Sequence, residues 1–365
     1  MKRILLITDN LDAVSGGAEK QIYLLATGLV QRGWEVEILV LQSNCRDQGL
    51  FERERIRVFV ENIRRVYSFQ GYRLAYKWRE IISRRRYCAV FTYHFGSDLW
   101  ASIFLRPDFS GLIVSMRRDD GFWMRPYHPW VYRYVIHPRV DLICAVSDHV
   151  KEGIISREGV KEEKVRVIYN GVELNRFTPQ PKVGGNEFIL LYVANFSSVK
   201  NHITLLEAVR RLKGKMGRFK LLLAGRDKGE EGRLRGFVQR HRLENEVEFL
   251  GERRDIPGLI ESADVCLQVS LSEGMSNTLL EYMAGARPVV ASDIVSNREV
   301  LSETGVLVDP NDPEEIASVI LDLYLSPEQR REIGLLARKR VEEFFSVDRM
   351  IDEYESLLKE AICEM

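Results

Sequence analysis

Short apolar runs alternate with longer amphipathic stretches along nearly the whole chain. RILLIT (3–8) is followed by a glycine-containing loop and a helical pattern over Ala18–Gln31, which Gly33 closes. VEILVL (36–41), AVFTYH (89–94), GLIVSM (111–116) and DLICAVS (141–147) repeat the strand signal, and VRVIYNGVE (165–173) ends the first series. The pattern restarts with FILLYVAN (188–195), a helix over Ile203–Leu212, then FKLLLAG (219–225), VEFLG (247–251), VCLQVS (265–270), PVVAS (288–292) and GVLVD (305–309). Continuous apolar strands separated by amphipathic helices predict parallel sheets covered on both faces. Three charged amphipathic helices are expected at 313–325, 327–344 and 347–363.

Between the two series lies TPQPKVGGNE (178–187), whose Pro and Gly content marks a linker. The predicted architecture is therefore α/β, two Rossmann-like doubly wound domains facing across a cleft. The expected boundaries are 1–177 for the first, 186–345 for the second, and 346–365 for a C-terminal helix packing back on the first. A length of 365 residues fits two cores better than one. In doubly wound sheets ligands bind beyond the carboxyl ends of the strands.

Composition narrows the class. No apolar run approaches the roughly 20 residues that span a bilayer, and the opening MKRILLIT turns polar too early for a leader, so it reads as a buried strand. The five cysteines are scattered and lack CxxC spacing, which points to a reducing, cytoplasmic setting and no zinc site. Zero net charge hides an asymmetry. Residues 1–180 carry 28 basic against 21 acidic groups, and residues 181–365 carry 25 against 32. The basic excess gathers in 53–86. It reads either as a solvated helix face or as a peripheral contact with an anionic membrane or acceptor. No nucleic-acid module accompanies it, so nucleic acid is not expected as a partner.

The densest chemical signal is Ser272-Glu273-Gly274-Met275-Ser276-Asn277-Thr278-Leu279-Leu280-Glu281, directly after the strand VCLQVS. Gly274 to Asn277 should form a tight turn opening a helix that runs to about Ala284. A helix start offers unpaired N–H groups and a positive dipole end, which suits phosphate or sugar hydroxyls. An eight-residue step along a helix separates Glu273 from Glu281 by roughly 12 Å, too far for an acid–base dyad. Either glutamate alone would read as an ordinary helix charge; the full string at a strand's carboxyl end does not.

This string resembles the E-x7-E motif of the glycosyl transferases group 1 (GT4) family of retaining GT-B glycosyltransferases, a resemblance that covers nearly the whole chain. It implies a nucleotide-sugar donor in the second domain and an acceptor in the first. Glu281 resembles the ribose-binding carboxylate. Glu273 would contact donor sugar hydroxyls, with Gly274, Met275 and Ser276 offering backbone N–H groups and Asn277 and Thr278 alongside. In Ala194-Asn195-Phe196-Ser197-Ser198-Val199-Lys200, Lys200 matches the lysine that holds the diphosphate. Asn195 stands where the family has Arg, so the site loses a charge there. Gly16 and Gly17 resemble the glycine-rich loop that approaches the donor phosphates, and Arg226 would border the base. The family's histidine after the strand 111–116 is missing. Arg117 or Arg118 is expected to steady the leaving group in its place. His94 also ends a strand, and reads as a satisfied structural histidine before a functional one. The aromatic and cationic stretch 121–130 suits sugar stacking, a membrane interface or packing under a loop.

The resemblance implies a retaining hexosyltransferase. It would move a sugar from a nucleotide-diphosphate sugar, with UDP the expected carrier, to a saccharide or lipid-linked saccharide in glycan biosynthesis. The departing diphosphate can itself take the acceptor's proton. No cofactor is expected, and no metal, since an Asp-x-Asp motif is absent. Two alternatives remain on the same fold: a non-catalytic nucleotide-sugar-binding partner of a synthesis complex, and a UDP-sugar 2-epimerase.

Overall fold

The computed structural model describes residues 2–14, 17–179 and 187–363, with side chains as far as 361. Gly16 and most of the expected linker lie outside these residues. The chain divides into two compact units, one of residues 1–171 with 347–365, the other of residues 172–346. The division thus falls at 171/172 instead of 177, and the C-terminal helix belongs to the first unit.

The first unit is built on seven parallel strands. They are β1 (Arg3–Thr8), β2 (Glu35–Val40), β3 (Arg57–Val60), β4 (Ala89–Tyr93), β5 (Leu112–Arg117), β6 (Leu142–Ala145) and β7 (Val165–Val167), in the order β3-β2-β1-β4-β5-β6-β7. Its helices are α1 (Gly17–Gln31), α2 (Gln48–Arg53), α3 (Phe69–Arg85), α4 (Phe95–Trp100), α5 (His128–Val131) and α6 (Asp148–Glu158), with single π turns at Ala101–Leu105 and Tyr132–Ile136. The basic run at 53–86 is not one helix face. It contains the edge strand β3 and the helix α3.

The second unit has six parallel strands, β8 (Phe188–Val193), β9 (Phe219–Ala224), β10 (Val247–Gly251), β11 (Val265–Gln268), β12 (Val289–Ser292) and β13 (Val306–Val308), in the order β10-β9-β8-β11-β12-β13. Its helices are α7 (His202–Leu212), α8 (Glu231–Arg240), α9 (Ile256–Ser262), α10 (Asn277–Ala284), α11 (Val295–Leu301), α12 (Pro313–Leu325) and α13 (Pro327–Phe344). Strand order reverses direction between β1 and β4 in the first sheet and between β8 and β11 in the second. These are the switch points where a doubly wound sheet opens a crevice at its carboxyl edge.

The cores follow the periodicity. In the second unit Leu205, Leu206, Val209 and Leu212 of α7 join the buried side chains of β8 and β9 in one core cluster. In the first, α14 (Val347–Cys363) buries Met350, Ile351, Tyr354, Leu357 and Leu358, a stripe at helical spacing, against α1 and the sheet. Each such side chain contributes about 1.5–3 kcal/mol on burial. Gly28 makes the seating possible, because a Cβ there would come within 2.5 Å of the Ile351 side chain.

Candidate functional site

Two residues singled out by sequence meet at the second switch point. Beyond β8, a 3-10 turn over Ser198–Lys200 ends at Asn201, which takes a left-handed conformation (φ 53°) that asparagine tolerates better than most side chains. Its amide fixes the bend, donating to the Pro310 carbonyl at 2.6 Å and accepting from the Thr204 hydroxyl at 2.7 Å. The buried Tyr192 hydroxyl donates to the Lys200 carbonyl at 2.7 Å. The turn is thereby held from three sides, and the Lys200 ammonium lies 2.5 Å from Oε1 of Glu273.

Glu273 follows β11. The Gln268 amide nitrogen donates to its Oε1 at 2.8 Å and to the Ser276 hydroxyl at 2.9 Å. Ser276 is the N-cap of α10, accepting from the Leu279 N–H at 3.3 Å. The helix opens at Asn277, as the turn Gly274–Asn277 predicts, and runs to Ala284. Gly274, Met275 and Ser276 are buried around its start, and Asn277 and Thr278 are half-buried. Glu281 lies on the second turn, with 7% of its surface exposed. The arrangement offers an ammonium, two carboxylates and the positive end of a helix dipole at one sheet edge, and an anion arriving there competes with Glu273 for Lys200. Gln268 was missed from sequence, although a lone amide inside the apolar run VCLQVS was the available signal. Its Oε1 is buried without a partner among the described residues.

His202, two residues after Lys200, is held neutral. Burial and the nearby Lys200 charge push its pKa down to about 4, and its ring lies against Tyr192 at 4.7 Å, tilted by 31°. Asn195 straps two strand ends together, its side-chain oxygen accepting from the Arg226 N–H at 3.1 Å. The strap needs glycine at 225, where a Cβ would sit 2.0 Å from the Ala194 carbonyl. Arg226 pairs with Glu252 at 2.7 Å on the surface. Asp264, just before β11, accepts from the Ile189 N–H at 2.7 Å.

In the first unit, of the two arginines expected at the leaving group, Arg117 has both forks engaged by Glu158 at 2.7 and 2.9 Å, its guanidinium 4.0 Å from the Tyr132 ring, and only 6% of its surface exposed. His137 Nε2 also meets Oε2 of Glu158, at 2.7 Å. Burial alone would raise the Glu158 pKa, but His137 and Arg117 outweigh it and hold it below the usual range. Arg118 is half-buried and donates to the Asn170 amide oxygen and, at 3.4 Å, to the Tyr354 hydroxyl. Gly17 begins α1 and is exposed.

The carboxyl edge of β1 and β4 holds a second polar group. Asp9 follows β1; its Oδ2 accepts from the Gly96 N–H at 2.9 Å, and its Oδ1 is buried without a partner among the described residues. Burial, opposed by that N–H and joined by the charge of Asp98, pushes its pKa up to about 7. His94 follows β4 with φ 78° and ψ 160°. That region is essentially reserved for glycine, and a side chain held there costs about 1–3 kcal/mol.

The family model described as Glycosyl transferases group 1 matches residues 187–326, and that described as Glycosyltransferase Family 4 matches residues 15–176. Putative glycosyltransferase EpsD of Bacillus subtilis (strain 168) is 30% identical over 251 residues, 64% of this chain and 64% of its own. O-antigen chain mannosyltransferase C of Escherichia coli is 26% identical over 371 residues, 94% of each chain. The match spans less than two thirds of the first relatives, 64% of EpsD and 49% of putative glycosyltransferase EpsF. Among solved structures, Anabaena Alr3699/HepE in complex with UDP and glucose superposes with a TM-score of 0.87 at 21% identity, covering 99% of this chain and 100% of that one. A glycosyltransferase from Rickettsia africae ESF-5 gives 0.86 at 22%, covering 99% and 98%. These likenesses establish the fold as GT-B, two Rossmann-like units of seven and six parallel strands.

Proposed function

The chain belongs to the glycosyl transferases group 1 family, and on that premise we propose that it transfers a hexose from a nucleoside diphosphate sugar to a saccharide or lipid-linked saccharide, with retention. The observation that carries this reading is the meeting of Lys200, Glu273 and the start of α10 at the β8/β11 switch point. A diphosphate placed there finds the Lys200 ammonium and the helix dipole, which stabilise charge on the leaving group. Glu281, on the helix behind, takes the ribose hydroxyls, and Glu273 the donor sugar. UDP is the preferred carrier, in keeping with the UDP and UDP-glucose complexes of the Anabaena homologue. The cationic work falls to Lys200, so no divalent metal is required.

The acceptor is met at an anionic membrane surface. Helix α3 exposes Phe69, Tyr72 and Tyr76 as one stripe, with Arg73, Lys77 and Arg84 exposed beside it. Aromatic rings and basic groups together suit the interface between headgroups and acyl chains. Among the described residues no helix is long and apolar enough to cross a membrane.

The test is incubation of the purified chain with UDP-, GDP- and ADP-sugars and a glycan acceptor panel, with product anomers read by NMR. A product that keeps the donor's anomeric configuration supports the reading; consumption of no nucleotide sugar refutes it.

A further inference from the structure

Gln268 ends β11, which lies between β8 and β12 at the second switch point. Val265, Leu267 and Val269 on either side of it join the core cluster of this unit. A glutamine that is 1% exposed has lost its water, and only its nitrogen is compensated. The two hydrogens of Nε2 go to Oε1 of Glu273 at 2.8 Å and to Oγ of Ser276 at 2.9 Å. Oε1 of Gln268 is buried with no partner among the described residues. Turning the amide round would not relieve it, because a carboxylate only accepts and must face the nitrogen. Leucine or methionine would fill the same place without an unmatched acceptor, so the fold by itself does not call for an amide.

What the amide holds is one loop. Glu273 lies at its start, and Ser276 at its end caps α10, accepting from the Leu279 N–H. The two bonds from Gln268 therefore fix the Glu273 carboxylate relative to the helix start. Lys200 is a second donor to the same oxygen, Oε1 of Glu273, at 2.5 Å. The two donors part company when a diphosphate arrives. The Lys200 side chain is flexible and 24% exposed, and phosphate charge draws its ammonium away from Glu273. The Gln268 amide is neutral, buried and fixed in a central strand, so it stays on Oε1.

We propose that Gln268 is a positioning residue, which keeps Glu273 directed at the donor sugar after the diphosphate has taken Lys200. It thereby sets the affinity for the sugar part of the donor and not for the nucleotide. This deepens the transferase reading above and rests on it.

The experiment is calorimetric titration of the full chain with UDP, UDP-glucose, UDP-galactose and UDP-N-acetylglucosamine. Gln268→Leu is the informative variant, and Gln268→Met, unbranched and of similar length, repeats the reading should leucine strain the strand. In each, the UDP-sugar that the wild type binds should weaken by roughly three- to tenfold, the loss of one hydrogen bond, while UDP itself changes by less than about twofold. The melting point should hold or rise. In a Glu273→Ala background, which leaves no carboxylate to position, adding Gln268→Leu should change UDP-sugar affinity by less than about twofold. Overturning results are UDP and UDP-sugar weakening alike, a UDP-sugar affinity unchanged in both variants, or a further loss in the Glu273→Ala background. A melting point lowered by both substitutions would likewise assign the amide to the fold, and a wild type that binds UDP but no UDP-sugar would leave it nothing to position. A wild type that binds none of the four compounds contradicts the donor reading, and this inference falls with it; the other results overturn this inference alone.

Discussion

Replacing Glu158 by alanine isolates the role of Arg117. The substitution removes the bonds at 2.7 and 2.9 Å to the guanidinium and the bond at 2.7 Å to His137, and leaves an arginine that is 6% exposed without its counter-ion. Breaking a buried pair by deleting one partner costs about 3–5 kcal/mol. With a urea slope of about 2 kcal/mol per molar, the midpoint should fall by roughly 1.5–2.5 M. The assay is favourable because all five tryptophans, Trp34, Trp78, Trp100, Trp123 and Trp130, lie in the first unit, so tryptophan fluorescence follows that unit alone. Arg117→Met combined with Glu158→Leu should recover much of the loss, since an apolar replacement of both partners leaves no uncompensated charge. A loss for Glu158→Ala within the about 0.5 kcal/mol of an ordinary surface change would refute the reasoning, and would return Arg117 to the list of ligand-binding groups.

Three further outcomes are expected. Asp9 keeps its proton in the folded chain up to about pH 7, whereas a carboxyl with its ordinary pKa of 3.8 has released it in the unfolded chain. Wild-type stability should therefore fall as pH rises through that window, by up to about 1.4 kcal/mol per pH unit from this group. Asp9→Asn should gain on the wild type from pH 5 to 7 and then hold its lead, as read by urea midpoints; a constant difference would contradict the burial argument. Gly225→Ala drives a methyl to 2.0 Å from the Ala194 carbonyl. It should cost about 1–3 kcal/mol by overpacking and weaken nucleotide binding by displacing the segment that leads to Lys200; circular-dichroism melts and UDP titration give both numbers. Sugar transfer should survive EDTA, whereas loss that Mg²⁺ or Mn²⁺ restores would count against a lysine-centred site.

Most of the architecture was legible because buried parallel strands are near-continuous apolar runs, and twelve of the thirteen strands among the described residues carry that mark. The exception, β3, is an edge strand of four residues, Arg57–Val60, whose flanking charges hide it inside a basic run. The E-x7-E segment was legible because a strand, a turn and a capped helix leave a local signature. Arg117 was not, since its partner Glu158 is 41 residues away and nothing local says that the side chain turns inward. The strained backbone of His94 was illegible for a related reason: it is a property of the main chain, and no residue pattern reports it.

The central claim, that a nucleoside diphosphate is held by Lys200 and Glu281 in the second unit, is met most directly by calorimetric titration of UDP into the wild type and into Lys200→Ala and Glu281→Ala. Binding by the wild type, weakened at least about tenfold (about 1.4 kcal/mol) in each variant at an unchanged fold, is the predicted result. Equal UDP affinity in all three proteins would contradict it.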